Sequence, residues 1–192
     1  MKLNKLIAIA TISLLSGGIS MAQKALNLED IVAGNIIQTK GIGSMTWLKD
    51  GERYSRLENN KQTGGTDIVA YRAKDNSREV IIPSSLLTDK STGRPIPVRS
   101  VSWSADNEKI LIYNNTRRVW RYDTRGDYWV LNLKDGALRQ LGKGMPESSM
   151  MFAKFSPDGT RVAYVSNNNI YVEDIDSGKI TQLTKAGSDT IV

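Results

Sequence analysis

The stretch Arg117–Trp129, RRVWRYDTRGDYW, concentrates more chemistry than any other part of the chain. It holds Arg117, Arg118, Arg121 and Arg125, two carboxylates (Asp123 and Asp127) and four aromatic rings. A guanidinium is a fixed fork of donors suited to carbonyl, carboxylate or phosphate oxygens. Strand alternation predicts Trp120 and Tyr122 on one side of a ribbon, Arg121 and Asp123 on the other. Asp123-Thr124-Arg125-Gly126 reads as a hairpin tip, because these residue types favour turns. One reading is a solvated hairpin whose charges pair across the strands. Another is a nucleic-acid arm of arginines and stacked rings, which a net charge of only +6 argues against.

What the chain lacks narrows the chemistry further. It contains no Cys and no His. A thiol nucleophile, a disulfide, a Ser-His-Asp relay and an imidazole metal site are therefore excluded from these residues. No Ser stands in a Gly-x-Ser-x-Gly elbow. The expectation is no catalytic residue, no metal and no cofactor within this chain, and no peptidase activity for it alone.

The elements that must position the arginines come from a repeat. TWLKDGERY begins at Thr46, SWSADNEKI at Ser102 and KFSPDGTRV at Lys154. The aromatics Trp47, Trp103 and Phe155 lie 56 and 52 residues apart. Each segment ends a strand, turns at Asp50-Gly51, Asp106-Asn107 or Asp158-Gly159, and starts another strand. Two-residue turns of this kind need positive φ. Short strands repeating at such a period predict β-propeller blades. In the third repeat the strands are MMFAKF, RVAYVS, IYVEDI and KITQLT, with Asn167-Asn168-Asn169 as a turn. In the second they are VRSVSW, KILIYN, DYWVLNL and ALRQLG. In the first they are GSMTWL, RYSRLE, DIVAYRA and EVIIPS. The second repeat carries about ten added residues, Thr116 to Gly126, between its second and third strands. Because strands alternate in direction, this addition falls on the face opposite the Asp-Gly turns.

The start of the chain looks like an export signal. Met1–Lys5 is basic, Leu6–Leu15 is apolar but too short to span a bilayer, and Ser20-Met21-Ala22 offers small residues for cleavage before Gln23. The expected location is secreted or periplasmic, with an uncleaved anchor as the rival. Smaller signals carry less. Asp174–Gly178 lacks the ligands of a calcium loop and reads as a turn. Gly41-Ile42-Gly43-Ser44 lacks the spacing of a phosphate loop. Asn114-Asn115-Thr116 fits a glycosylation acceptor.

Trp120-Arg121 after a strand, followed by a Tyr-rich third strand, resembles the N-terminal propeller of dipeptidyl peptidase IV and its bacterial relatives in the prolyl oligopeptidase group. FSPDGTRVAYVSNNNIYVEDIDSGKITQLTKAG is similar to the blade that follows there. The resemblance spans Val98–Val192 well and Gly41–Ser85 in outline. It implies an all-β fold of about three four-stranded blades from an eight-bladed propeller, joined in cis to an α/β-hydrolase domain. The implied activity is release of N-terminal X-Pro or X-Ala dipeptides, with the propeller gating and orienting the peptide. Arg121 matches the family arginine that contacts a substrate main-chain carbonyl, with Trp120, Tyr122 and Asp123 as support. The family often has His-Ser or Arg-Ser after that arginine. Here Tyr122-Asp123 stands, and Asp123 is placed either to hold Arg121 or to compete for it. The family's glutamate pair, in an Asp-Trp-Val-Tyr-Glu-Glu pattern, would begin about where the sequence stops.

The expected organisation is a signal peptide over 1–22, a lead-in over 23–40, a divergent first blade over 41–97, a second blade with the extended hairpin over 98–147, and a third blade over 148–192, truncated at its end. A homodimer is compatible with the resemblance. A non-catalytic, TolB-like periplasmic propeller that binds another protein fits the same FSPDG blades. A complete small β-protein would leave sheet edges unpaired.

Overall fold

The computed structural model describes residues 43–188 continuously, with Asn27, Leu28, Val32, Gly41 and Thr190. The expected signal peptide lies outside the described residues. So does most of the lead-in, of which Leu28 and Val32 are helical and exposed. The chain divides into two compact units at Gly41, and all described strands belong to the second.

Three four-stranded sheets follow one another among the described residues. The first runs β1 (Met45–Trp47), β2 (Arg53–Asn59), β3 (Thr66–Arg72) and β4 (Arg78–Ile82). A small hairpin of β5 (Thr88–Asp89) and β6 (Arg94–Pro95) comes next. The second sheet holds β7 (Ser100–Trp103), β8 (Lys109–Val119), β9 (Tyr122–Asn132) and β10 (Leu138–Gln140). The third holds β11 (Met151–Phe155), β12 (Arg161–Ser166), β13 (Asn169–Asp174) and β14 (Ile180–Gln182). Each is an antiparallel meander in chain order, the form of a propeller blade.

Period-two alternation makes the second sheet the middle layer. Ile110 and Ile112 of β8 and Leu131 of β9 turn toward the first sheet, where they join Ile68, Ile82 and Leu87. Leu111, Tyr128 and Val130 turn the other way, onto Val162, Tyr164 and Ile175. Both faces of the second sheet are thus buried, which gives its two long strands a rigid footing. A further regularity escaped the repeat pattern. In every sheet a tyrosine of the second strand faces one of the third: Tyr54 opposite Tyr71, Tyr113 opposite Tyr128, Tyr164 opposite Tyr171. All three pairs stack, with centroids 5.6, 4.8 and 5.9 Å apart. Such cross-strand aromatic pairs are a unit of sheet stabilisation.

The turns after the aromatics are longer than two residues. They close at Leu48–Arg53, Ser104–Lys109 and Ser156–Arg161, with Gly51, Asn107 and Gly159 at positive φ. The Asp organises each one: Asp50 accepts from the Glu52 and Arg53 amides, Asp106 from the Glu108 amide, Asp158 from the Thr160 amide. The hydroxyls of Ser104 and Ser156 also donate to their Asp. The Arg53 guanidinium holds Asp50 down to about 2, and the Ser156 hydroxyl does the same for Asp158. Carboxyl groups depressed in the fold stabilise it when charged. That contribution is complete above about pH 4 and disappears as pH falls through about 2. Thermal melts should therefore lose midpoint between pH 5 and pH 2, and Asp50→Asn with Asp158→Asn should flatten the loss. An unchanged slope in the double variant would remove these turns as its source.

The connector Pro83–Pro97 carries structure that alternation does not announce. A 3-10 turn, Ser84–Leu87, buries Ser84 and Leu87. Asp67 accepts from the Ser84 amide at 2.7 Å and from Asn60 Nδ2 at 3.0 Å. Gly65 fits because a Cβ there would lie 2.8 Å from that of Ser84.

Candidate functional site

β8 and β9 run 11 residues each, against 6 or 7 in the matching strands of the other sheets. Their excess, beyond the pair Asn114–Asp127, forms a two-stranded arm. At about 3.3 Å per residue it projects roughly 15 Å.

The arm's base is bolted to the chain entering the third sheet. Asp127 is buried and accepts from Asn115 Nδ2 at 2.7 Å and the Ser148 amide at 2.8 Å. The same Asn115 nitrogen lies 2.8 Å from Glu147 Oε1, and Ser148 Oγ donates to the Asn115 carbonyl. Gly126 and Met150 exchange backbone hydrogen bonds at 3.0 and 3.1 Å. A Cβ on Gly126 would sit 2.4 Å from the Tyr113 ring, so only glycine fits there. Asn114 is buried, its amide turned between the Asp127 carbonyl and the Trp129 indole. The acceptor Asn of the glycosylation-like triplet is therefore not presented on the surface.

The tip lies elsewhere than the residue types suggest. Val119 pairs with Tyr122, so Trp120-Arg121 is the turn. Asp123–Gly126 belongs to β9, and the expected alternation across Trp120 and Arg121 does not apply. Two one-residue bulges, one on each strand, cancel. Asn114 faces Asp127, Arg117 faces Arg125, Arg118 faces Asp123, and the original register is restored. Of the two turn residues only Trp120 has positive φ, 61°, as in a II′ turn. Glycine usually takes that place, and a bulky residue there is an uncommon, strained choice.

Trp120 is 94% exposed and Tyr122 73%. Arg121 is exposed, and no hydrogen bond or ion pair engages it among the described residues. Asp123 neither holds Arg121 nor competes for it. Its carboxylate pairs with Arg99 Nη2 at 3.3 Å, while Tyr113 Oη donates to its carbonyl at 2.9 Å. Burial pushes the Tyr113 phenol up to about 12, so it stays a donor. Arg117, Arg118 and Arg125 also lack ion-pair partners among the described residues. The cross-strand charge pairing of a merely solvated hairpin is absent. An open cleft of about 480 Å³ runs along the base, lined by Pro97, Val98, Arg99, Asn114, Thr116 and Glu147.

Sequence reasoning named Trp120, Arg121, Tyr122 and Asp123, which the structure places at and beside the tip, and gave no role to Arg99, Asn115, Gly126 and Ser148, which fix the arm's base. Asn115 had a usable signal: a doubled Asn inside a strand, here at φ 43°, is a bulge residue.

Comparison with known proteins points the same way. Residues 104–192 match the model of the dipeptidyl peptidase IV (DPP IV) N-terminal region. A probable dipeptidyl-aminopeptidase B from Aspergillus terreus is 25% identical over 181 residues, covering 90% of this chain and 20% of that protein. One from Chaetomium globosum is 29% identical over 91 residues, 47% of this chain and 10% of the relative. The crystal structure of Porphyromonas gingivalis dipeptidyl peptidase 4 superposes with a TM-score of 0.65 at 22% identity, over 86% of this chain and 22% of that one. The chain thus spans about a fifth of the length of such relatives. With three meandering blades and a match that takes in the whole arm, this chain has a β-propeller fold, and its residues 104–192 are similar to the dipeptidyl peptidase IV N-terminal region.

Proposed function

We propose that this chain is the substrate-orienting propeller portion of a dipeptidyl peptidase, acting with an α/β-hydrolase domain in cis. The observation that carries the reading is the state of Arg121. It stands at the tip of an arm with a fixed base, exposed, and without a hydrogen-bond or ion-pair partner among the described residues. The nearest acid in sequence, Asp123 on β9, is engaged by Arg99. A guanidinium so presented donates to a peptide carbonyl without first breaking an internal pair.

Its chemistry is positional. Two or more N–H donors on one carbonyl oxygen fix the peptide's register relative to the nucleophile, and orientation lowers the barrier of the step that follows. Trp120 and Tyr122 supply apolar surface beside the held backbone. The nucleophile, base and oxyanion donors belong to the hydrolase domain in this proposal.

The test is kinetic. In the protein joined to its hydrolase, Arg121→Ala should lower kcat/KM for a Gly-Pro chromogenic amide about ten- to a hundredfold, the worth of a charge-assisted hydrogen bond. Its circular dichroism should not change, since Arg121 is exposed and holds no hydrogen bond or ion pair among the described residues. An unaltered kcat/KM would remove Arg121 from the site and leave the arm structural.

A further inference from the structure

The arm carries more positive charge than one carbonyl contact uses. Arg117 and Arg125 face each other directly across the ladder. Like charges so placed destabilise a sheet unless something neutralises them. The carboxylates on the arm and at its base have other partners among the described residues: Asp123 has Arg99, Asp127 has Asn115 and the Ser148 amide, Glu147 has Asn115. The neutralising group is therefore missing from the described residues.

We infer that the Arg117–Arg125 pair is a carboxylate-recognition subsite that selects acidic peptides. The inference deepens the reading of the arm as a peptide-orienting element and rests on it. Two opposed guanidinium forks hold one carboxylate through several charge-assisted hydrogen bonds. The bulges flanking the pair turn it out of the regular pleat. Trp120 and Tyr122, both exposed, extend the contact with apolar surface for the peptide's other side chains. The arm brings four arginines without an ion pair into one short ribbon, while the turn at the opposite end of each sheet carries an Asp (Asp50, Asp106, Asp158). A nucleic acid would require a continuous basic track. A short acidic segment requires only the arm.

The 192-residue chain is titrated with the amidated peptides Ala-Pro-Asp-Glu and Ala-Pro-Asn-Gln, followed by tryptophan emission. The acidic peptide should bind about tenfold more tightly at low ionic strength, with the advantage shrinking as salt rises. In Arg117→Gln/Arg125→Gln the ratio should collapse to within about threefold. Arg72→Gln/Lys74→Gln, an equal loss of two charges at the end of the first sheet, should leave the ratio intact. Arg121→Ala should weaken both peptides alike and preserve the ratio. That pattern separates failure of the carbonyl contact from failure of the subsite. Equal affinity for the two peptides in the unaltered chain would overturn the inference, as would a preference that survives the double variant. Tighter binding of oligothymidylate than of the acidic peptide would make the arm a nucleic-acid element and overturn it as well.

Discussion

Glu173→Ala should cost about 3–5 kcal/mol of unfolding free energy, read from the urea midpoint at constant slope. Glu173 is 2% exposed, wedged between the second and third sheets. Its carboxylate accepts from the Gly142 amide at 2.8 Å, from Tyr164 Oη at 3.2 Å and from Arg139 Nη2 at 3.2 Å. Burial holds the Tyr164 phenol well above its usual range, so it remains a donor. Alanine would strand all three donors at once. Arg139 would keep only the Asp174 carbonyl. Its side chain is about a third exposed, so solvent screens part of the unpaired charge and the lower end of the range applies. Glu173→Gln retains size and an acceptor and should lose roughly half as much. A loss below about 1 kcal/mol for the alanine variant would show that water replaces the carboxylate and that the network does not join the two sheets.

Leu131→Ala should cost about 2–5 kcal/mol by the same measurement. Leu131 is fully buried on the other face of the middle sheet, opposite Ile110 on β8 and Leu138 on β10. It packs with Ile68, Ile82 and Leu87 from the first sheet and its connector. Truncation removes apolar contact from both sheets, and neither can move in without breaking a ladder. The residual cavity should therefore stay open, toward the upper half of the range. Leu183→Ala, at an exposed position, should fall within about 0.5 kcal/mol. A small loss at Leu131 would mean that the first two sheets associate through other contacts.

The repeat was legible because alternation and turn chemistry agree in it. β12 matches its expected span, Arg161–Ser166, residue for residue. β13 begins one residue early because Asn167 and Asn168 alone make the turn, both at positive φ. The arm misled because its signals conflict. Asp123-Thr124-Arg125-Gly126 has the composition of a turn and Trp120-Arg121 that of a strand. Cross-strand register decided otherwise, and Gly126 serves close approach to Tyr113 rather than a bend. Arg99 and Ser148 were out of reach for another reason. They meet the arm from separate segments, 24 and 21 residues from Asp123 and Asp127, and no periodicity encodes that. The 3-10 turn at Ser84–Leu87 has neither period, so only the buried Asp67 betrays it.

The two cancelling bulges have a consequence for how such an arm evolves. One extra residue in one strand would flip every side chain beyond it to the other face. A second, on the partner strand, restores the pairing before Val119–Tyr122. Both lie outside the Tyr113–Tyr128 stack, so the ladder beneath keeps its alternation. The arm can thus be rotated or lengthened by matched insertions without disturbing the core. Related chains should vary there in residue pairs, redirecting the tip while the blade beneath stays the same.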